Sequence, residues 1–286
     1  MTALDTTRCS VIGAGRMGTG IAHALLLSGA HVIVVDTDPE RVEQAVQRVH
    51  EMVQASARRG VLAEAIESVR ARLSGAVGIE AVQGCGLVVE AVPEIPALKA
   101  EILAAVESVL SDDAIIATNT SSISVSQLAQ PMRRPERFIG LHFFNPVPAS
   151  NLIEVVVGAQ TAPATTELAE QLVVAMGKTA IVVNDSPGFA SSRLGVALGI
   201  EAIRMVQEGV ASAAAIDQAM TLGYKHPVGP LRLTDLVGLD VRLGIAEYLA
   251  TSLGARFEPP QLMRDMVARR AGSEVGSRLL HLAAMR

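Results

Sequence analysis

The sequence predicts an α/β protein in which a mostly parallel sheet precedes an all-helical region. Three observations carry that prediction. Apolar β-runs alternate with helix-patterned segments through the first two-thirds of the chain, the order expected of parallel strands joined by crossover helices. The runs are continuously hydrophobic, as strands covered on both faces must be. Beyond residue 188 helical periodicity continues, but no convincing β-run follows.

In chain order, a first β-run at 10–12 leads into a helix over 16–28, and a second run occupies 32–35. Helical patterns at 39–59 and 61–72 fill a long crossover, expected to form a helical hairpin over about 39–72. Runs at 87–89, 114–117, 138–141, 152–157 and 180–183 follow, with helices over 96–110 and 163–176. Asn184-Asp185-Ser186-Pro187-Gly188 then punctuates the chain, since Pro-Gly marks turns and linkers. Helices are expected over 189–208, 212–221, 229–237, 239–253 and 259–270. The expected domains are therefore 1–186 and 187–286.

The 286 residues are 50% hydrophobic, chiefly Ala, Val, Leu and Ile, and lack Trp. That composition suits buried strands under closely packed helices. A net charge of -5 gives no general attraction for nucleic acid or an anionic membrane. No apolar run has the roughly 18 residues of a membrane span. The N-terminal residues lack the charged-then-apolar pattern of a secretory signal, so a cytoplasmic protein is expected. Cys9 and Cys85 have neither metal-like nor redox-like spacing, and no metal site is expected.

Gly13-Ala14-Gly15-Arg16-Met17-Gly18 follows the first β-run and opens the first helix, the context a dinucleotide fingerprint requires. Gly13 suits a tight turn, Gly15 a close approach to pyrophosphate, and Gly18 close helix–strand packing. The second run ends in Asp36, where a carboxylate can accept from a ribose diol and repel a 2′-phosphate. NAD is thereby favoured over NADP.

At the other end of the sheet, His142 closes an apolar run and opens the loop Phe143-Phe144-Asn145-Pro146-Val147-Pro148. Twelve residues on, Glu154 lies within the next run. Histidine exchanges protons near neutral pH, and a carboxylate on a neighbouring strand can fix its tautomer. Read alone, the same residues also fit a structural histidine at a strand end and a carboxylate paired with some other cation.

These stretches, with VVEAVPE at 88–94, ATNTSS at 117–122, GLHFFNPVP at 140–148, DSPGF at 185–189 and HPVGPLRLTDLVGLD at 226–240, resemble the 3-hydroxyacyl-CoA dehydrogenases of fatty-acid metabolism. The resemblance runs nearly end to end. It implies a Rossmann-like N-terminal domain and a helical C-terminal domain that commonly dimerises, hence a homodimer. It implies that His142 is the catalytic base, supported by Glu154, and that Ser121 holds the substrate hydroxyl. Nicotinamide-side contacts are implied for Glu94, Lys99, Ser121 and Asn145. The projecting hairpin would bind the nucleotide part of CoA, which draws attention to Arg59.

Two departures from the family pattern bear on the substrate. Ser192 stands where the family has an asparagine near the thioester carbonyl, and serine cannot donate and accept in amide geometry. The family's C-terminal lysine and aromatic motif is replaced by Gly272-Ser273-Glu274-Val275-Gly276-Ser277-Arg278. The leading expectation is NAD-dependent oxidation of a short 3-hydroxyacyl-CoA. Alternatives are oxidation of a glyceryl-type group on an acyl carrier protein, as in polyketide extender-unit pathways, a sugar-acid dehydrogenase of the same superfamily, and a non-catalytic NAD-binding protein. Lysine-dependent 3-hydroxyacid dehydrogenases share G-x-G-x-M-G but lack the histidine motif.

Overall fold

In a computed structural model, described here for residues 7–271, the chain divides into two compact units, Met1–Asp185 and Ser186–Arg286. The first holds eight strands: β1 (Arg8–Ile12), β2 (His31–Asp36), β3 (Leu73–Val77), β4 (Leu87–Glu90), β5 (Ile115–Thr118), β6 (Phe138–Phe143), β7 (Leu152–Val157) and β8 (Thr179–Asn184). Its helices are α1 (Arg16–Leu27), α2 (Pro39–Arg58), α3 (Ile66–Ala71), α4 (Pro96–Val109), α5 (Val125–Ala129) and α6 (Pro163–Ala175). The strand order is β3-β2-β1-β4-β5-β6-β7-β8, and only β6–β7 is antiparallel. The sheet is thus mostly parallel and Rossmann-like. The order reverses direction between β1 and β4, where such sheets open a crevice beyond the strand ends.

Strand alternation assigns the two faces. Val11, Val34, Val89, Ala117, Ile139, Leu141 and Val155 lie in mutual register and join α1, α2 and α6 in one core. The intervening residues face the other way. Gly140 lies on that second face, where an added Cβ would meet Val125 of α5 at 3.0 Å. Two residues further along, His142 must project from the same face.

Asp38 caps α2 by accepting from the Glu40 and Arg41 amides, with Pro39 at its first position. Val42, Ala45, Val49, Val53 and Ser56 form its buried stripe. After Gly60 (φ +69°) the helical pattern at 61–72 shortens to α3. The chain then enters β3, an edge strand the sequence does not announce. Ser74 and Gly75 are poor strand formers, but Gly75 admits Val42 and Val46 of α2, the latter 2.9 Å from a would-be Cβ. Packing decides that segment. The short helix α5 follows the serine run that the sequence marks as a helix start, and Ser124 rather than Ser121 caps it by accepting from the Gln127 amide.

The second unit contains α7 (Ser191–Gln207), α8 (Ala213–Gln218), a π-helical turn (Ala219–Gly223), α9 (Pro230–Val237), α10 (Leu239–Leu253) and α11 (Gln261–Ala271). Val196, Ile200, Ile203, Leu231, Leu239, Leu249, Met263 and Met266 centre its separate core. No described helix is long and apolar enough to cross a membrane.

His23 of α1 makes the fold sensitive to acid. It is buried, and its Nε2 lies 3.0 Å from Ser56 Oγ of α2. Burial first, then the charges of Arg59 and Lys178, lower its pKa from 6.5 to about 4. The unfolded chain therefore binds the extra proton between these values and the folded chain does not. Stability from this group is fully present above about pH 6.5 and is lost as pH falls toward 4. At roughly 1.36 kcal/mol per unit the contribution is about 3 kcal/mol. Urea unfolding from pH 7 to 4 should follow that loss, and His23→Leu should flatten the profile over the same window.

Candidate active site

The site lies beyond the carboxyl ends of β1, β2, β4, β5 and β6. At β1, Gly13 has φ +109°, and an added Cβ would lie 2.6 Å from the Ala91 carbonyl oxygen. Gly18 packs so closely on Gly13 that no side chain fits. Gly15, before the first turn of α1, is open to solvent with no atom within 4 Å of a would-be Cβ. The α1 N-terminus has no side-chain cap, so its N–H groups and dipole are available to an anion. Met17 turns inward and packs on the core.

Asp36 ends β2 beside this turn. Its Oδ2 accepts the Ala14 amide at 2.9 Å and its Oδ1 the Thr37 amide at 2.9 Å. Arg48 of α2 donates to the Ala14 carbonyl at 2.8 Å. Two successive peptides of the glycine turn, on either side of the Ala14 Cα, are thus each held by a charged side chain. A carboxylate has further lone pairs for a diol. A cradle that only glycine fits, an uncapped helix end and a strand-end carboxylate together fit NAD.

His142 and Glu154 are directly opposed in the antiparallel β6–β7 pair. Opposed residues share a face of the sheet, and His142 Nδ1 lies 2.8 Å from Glu154 Oε2. Both are buried, at 6% and 1% exposure. A carboxylate at Nδ1 selects the tautomer protonated there and makes Nε2 the basic nitrogen. Phe144 packs against the imidazole, with ring centroids 4.5 Å apart. Asn119 accepts the Phe143 amide at 2.9 Å and so ties the end of β5 to the histidine strand.

A second charged cluster joins β4, α4 and the loop after β5. Glu90, fully buried, accepts from the Val92 amide at 2.7 Å, Lys99 Nζ at 2.7 Å and Thr118 Oγ1 at 2.6 Å. Lys99 also reaches the Val92 carbonyl and Glu94, each at 3.2 Å, so its three donors are used within the protein. Glu94 in turn accepts from Thr120 Oγ1 at 2.5 Å and from the Ser121 and Ser122 amides at 3.0 and 3.2 Å. Burial raises the Glu94 pKa, but Lys99, Thr120 and the Ser121 amide outweigh it, and the net shift is downward. Ser121 Oγ lies 3.5 Å from Glu94, half-buried in the loop that leads into α5.

The structure therefore gathers Gly13, Gly15, Gly18, Asp36, Glu94, Lys99, Ser121, His142, Asn145 and Glu154 at strand ends of one sheet, with Asn145 exposed. Arg59 is exposed at the end of α2 and donates to Ala55 and Ser56 of its own helix. Ser192 is half-buried in the first turn of α7. The altered stretch 272–278, with Arg278, lies outside the described residues.

Glu90, Thr118, Asn119 and Thr120 all lie within the motifs VVEAVPE and ATNTSS, yet nothing in their residue types there announces a role. Lys178 carried no signal. Its Nζ donates to the Val147 carbonyl at 2.8 Å and the Ser150 carbonyl at 2.5 Å, pinning the loop after His142, and burial lowers its pKa. Lys178→Met should leave both carbonyls undonated, at a cost of about 1–3 kcal/mol. The expected readout is faster amide exchange across 143–152, and unchanged protection there would remove the pinning role.

The 3-hydroxyacyl-CoA dehydrogenase NAD-binding domain model matches residues 8–186, and the C-terminal domain model of the same enzymes matches residues 188–280. A probable 3-hydroxybutyryl-CoA dehydrogenase of Bacillus subtilis is 39% identical over 266 residues, covering 92% of this chain and 93% of the relative. Another from Deinococcus radiodurans is 40% identical over 258 residues, covering 90% and 93%. The crystal structure of (S)-3-hydroxybutyryl-CoA dehydrogenase from Ralstonia eutropha superposes with a TM-score of 0.88 at 38% identity, covering 93% of this chain and 94% of that one. With the strand order, the glycine cradle and the buried histidine–glutamate pair already in place, the chain belongs to the 3-hydroxyacyl-CoA dehydrogenase family.

Proposed function

We propose that this protein is an NAD-dependent dehydrogenase that oxidises a short 3-hydroxyacyl-CoA to the 3-oxoacyl-CoA, with His142 as general base. The observation that carries the reading is the buried His142–Glu154 pair on the sheet that bears the glycine cradle. The glycine turn and the α1 N-terminus would hold the pyrophosphate, Asp36 the ribose diol, and Glu94, Ser121 and Asn145 the nicotinamide end. Lys99 acts there by holding Glu94. Bound NAD supplies the hydride acceptor.

Glu154 accepts a hydrogen bond from Nδ1–H, which leaves the lone pair of His142 on Nε2. That nitrogen takes the hydroxyl proton as C3 loses hydride, and Glu154 stabilises the imidazolium formed. Ser121 Oγ orients the hydroxyl so that both transfers align. In the reducing direction His142 returns the proton. Purified protein should oxidise NADH with acetoacetyl-CoA and reduce NAD with 3-hydroxybutyryl-CoA. NADH binding with no turnover of any thioester would instead support a non-catalytic dinucleotide-binding protein.

Ser192, in place of the family asparagine, favours one second reading: the acyl group arrives on a carrier protein. A turnover panel of matched CoA and carrier-protein thioesters separates the two. We also propose a homodimer formed through the helical unit. Leu233, Leu236 and Val237 share one face of α9 and are exposed, Leu236 at 66%, while Leu231 and Thr234 on the other face are buried. An exposed apolar helix face supports association. Sedimentation at the mass of two chains is the expected result, and a one-chain mass overturns it.

A further inference from the structure

The loop that carries Ser121 is held by a carboxylate at each end. At its start Glu94 accepts the Ser121 and Ser122 amides, and Thr120 Oγ1 accepts the Ile123 amide at 2.9 Å. At its far end the carboxylate is Asp185, the last residue of the first unit. Asp185 Oδ2 accepts from Ser124 Oγ at 2.6 Å and from the Ser126 amide at 2.8 Å. The Asp185 amide donates to the Val157 carbonyl at the end of β7, at 2.9 Å. This second carboxylate therefore stands on the sheet, not on the loop it holds.

The short helix α5 begins where the loop ends. Ser124 Oγ donates to Asp185 and accepts the Gln127 amide at 3.1 Å. A helix of five residues is too short to hold itself, so outside contacts must place it. Val125 seats it on the sheet: a Cβ on Gly140 would stand 3.0 Å from this side chain, and one on Gly158 3.2 Å. Apolar packing is non-directional, which leaves the rotation of α5 to its hydrogen bonds. Gly140 lies two residues from His142 on the same face of the sheet, so a turn of α5 moves Ser121 relative to the base. The other carboxylate oxygen, Asp185 Oδ1, is buried with no donor among the described residues. An unpaired buried oxygen costs stability, and the two contacts at Oδ2 must offset that cost.

We propose that Asp185 is a positioning residue for the reaction: through Ser124 it fixes the far end of the loop and so sets where Ser121 Oγ meets the substrate hydroxyl. The inference rests on the dehydrogenase reading above and deepens the part Ser121 plays in it. Glu94 alone would leave the loop free to pivot about one end. With both ends fixed, the Ser121 hydroxyl keeps one orientation.

The test is a double-mutant cycle read in acetoacetyl-CoA reduction by NADH. Asp185→Ala should lower kcat about tenfold, below the roughly 10²-fold of an ångström-scale misplacement, because Glu94 still holds the near end. In a Ser121→Ala background the same change should have no further effect, since no hydroxyl is left to misplace. An equal loss in both backgrounds overturns the proposal, as does wild-type kcat in Asp185→Ala. Asp185→Asn can accept both contacts at its carbonyl oxygen and should recover most of the rate. An asparagine variant as slow as the alanine one also overturns the positioning role, because the contacts alone would then not suffice. Should Asp185→Ala fail to fold, Ser124→Ala cuts the same tie from the loop side and takes its place in the cycle. If wild-type protein binds NADH but reduces no thioester, the proposed function falls and this role with it. If wild-type protein turns over and the cycle is additive, only this role falls.

Discussion

His142→Gln should lower kcat for acetoacetyl-CoA reduction by about 10³, within the 10²–10⁴ range for a positioned acid or base. Glutamine is chosen because its amide can still donate to Glu154, which sits buried 2.8 Å from Nδ1. NADH affinity should stay near that of the wild type, because the glycine turn and Asp36 belong to other strand ends. The residual rate should rise with hydroxide concentration in the oxidative direction. His142→Ala should cost a similar factor in rate and also destabilise the fold. It removes one donor from a buried carboxylate, a loss of about 1–3 kcal/mol. Stopped-flow single turnover separates these effects from substrate binding. Turnover within tenfold of wild type in His142→Gln would remove the histidine from the chemistry.

The pair itself is readable in the sequence for a physical reason. Its two residues lie on consecutive strands joined by a short loop, so contact needs only that the strands pair in register. The glycine turn is readable for a similar reason, since its constraints are local backbone ones. Gly13 must adopt φ +109°, and Gly18 must lie where no Cβ fits. The charged network around Glu90 is different. Lys99 on a helix with apolar neighbours reads as solvated; only the packing of α4 on β4 makes it 1% exposed. Glu90 ends an apolar strand and looks like a terminus, until Thr118 from the neighbouring strand reaches it. β3 is short, and tertiary contacts rather than propensity specify it. Gly195 of α7 and Arg242 of α10 lie far apart in the chain, yet a Cβ on Gly195 would stand 2.8 Å from the guanidinium.

The second large expected effect concerns that hidden network. Lys99→Met removes the one cation that pairs with the fully buried Glu90 among the described residues. Breaking a buried ion pair from one side typically costs about 3–5 kcal/mol, because the remaining charge is left without compensation. Glu90 keeps the Val92 amide and Thr118 hydroxyl as donors, and Glu94, 36% exposed, can be hydrated. The cost should therefore fall near the lower end, about 3 kcal/mol. At about 2–4 °C per kcal/mol for a unit of this size, the first thermal transition should drop by roughly 10 °C. The double variant Glu90→Gln/Lys99→Met should recover most of that loss, since it leaves no buried charge behind. Its activity should not recover equally. Glu94 loses its cation in both variants, and with it one of the interactions that hold its pKa down. NADH KM should therefore stay raised in the stable double variant. A single variant that melts within 2 °C of wild type, by the same scale less than about 1 kcal/mol, would mean that the pair contributes little to the fold. Recovery of stability without recovery of KM would separate the two duties of Lys99, neutralising Glu90 inside the protein and positioning Glu94 at the site.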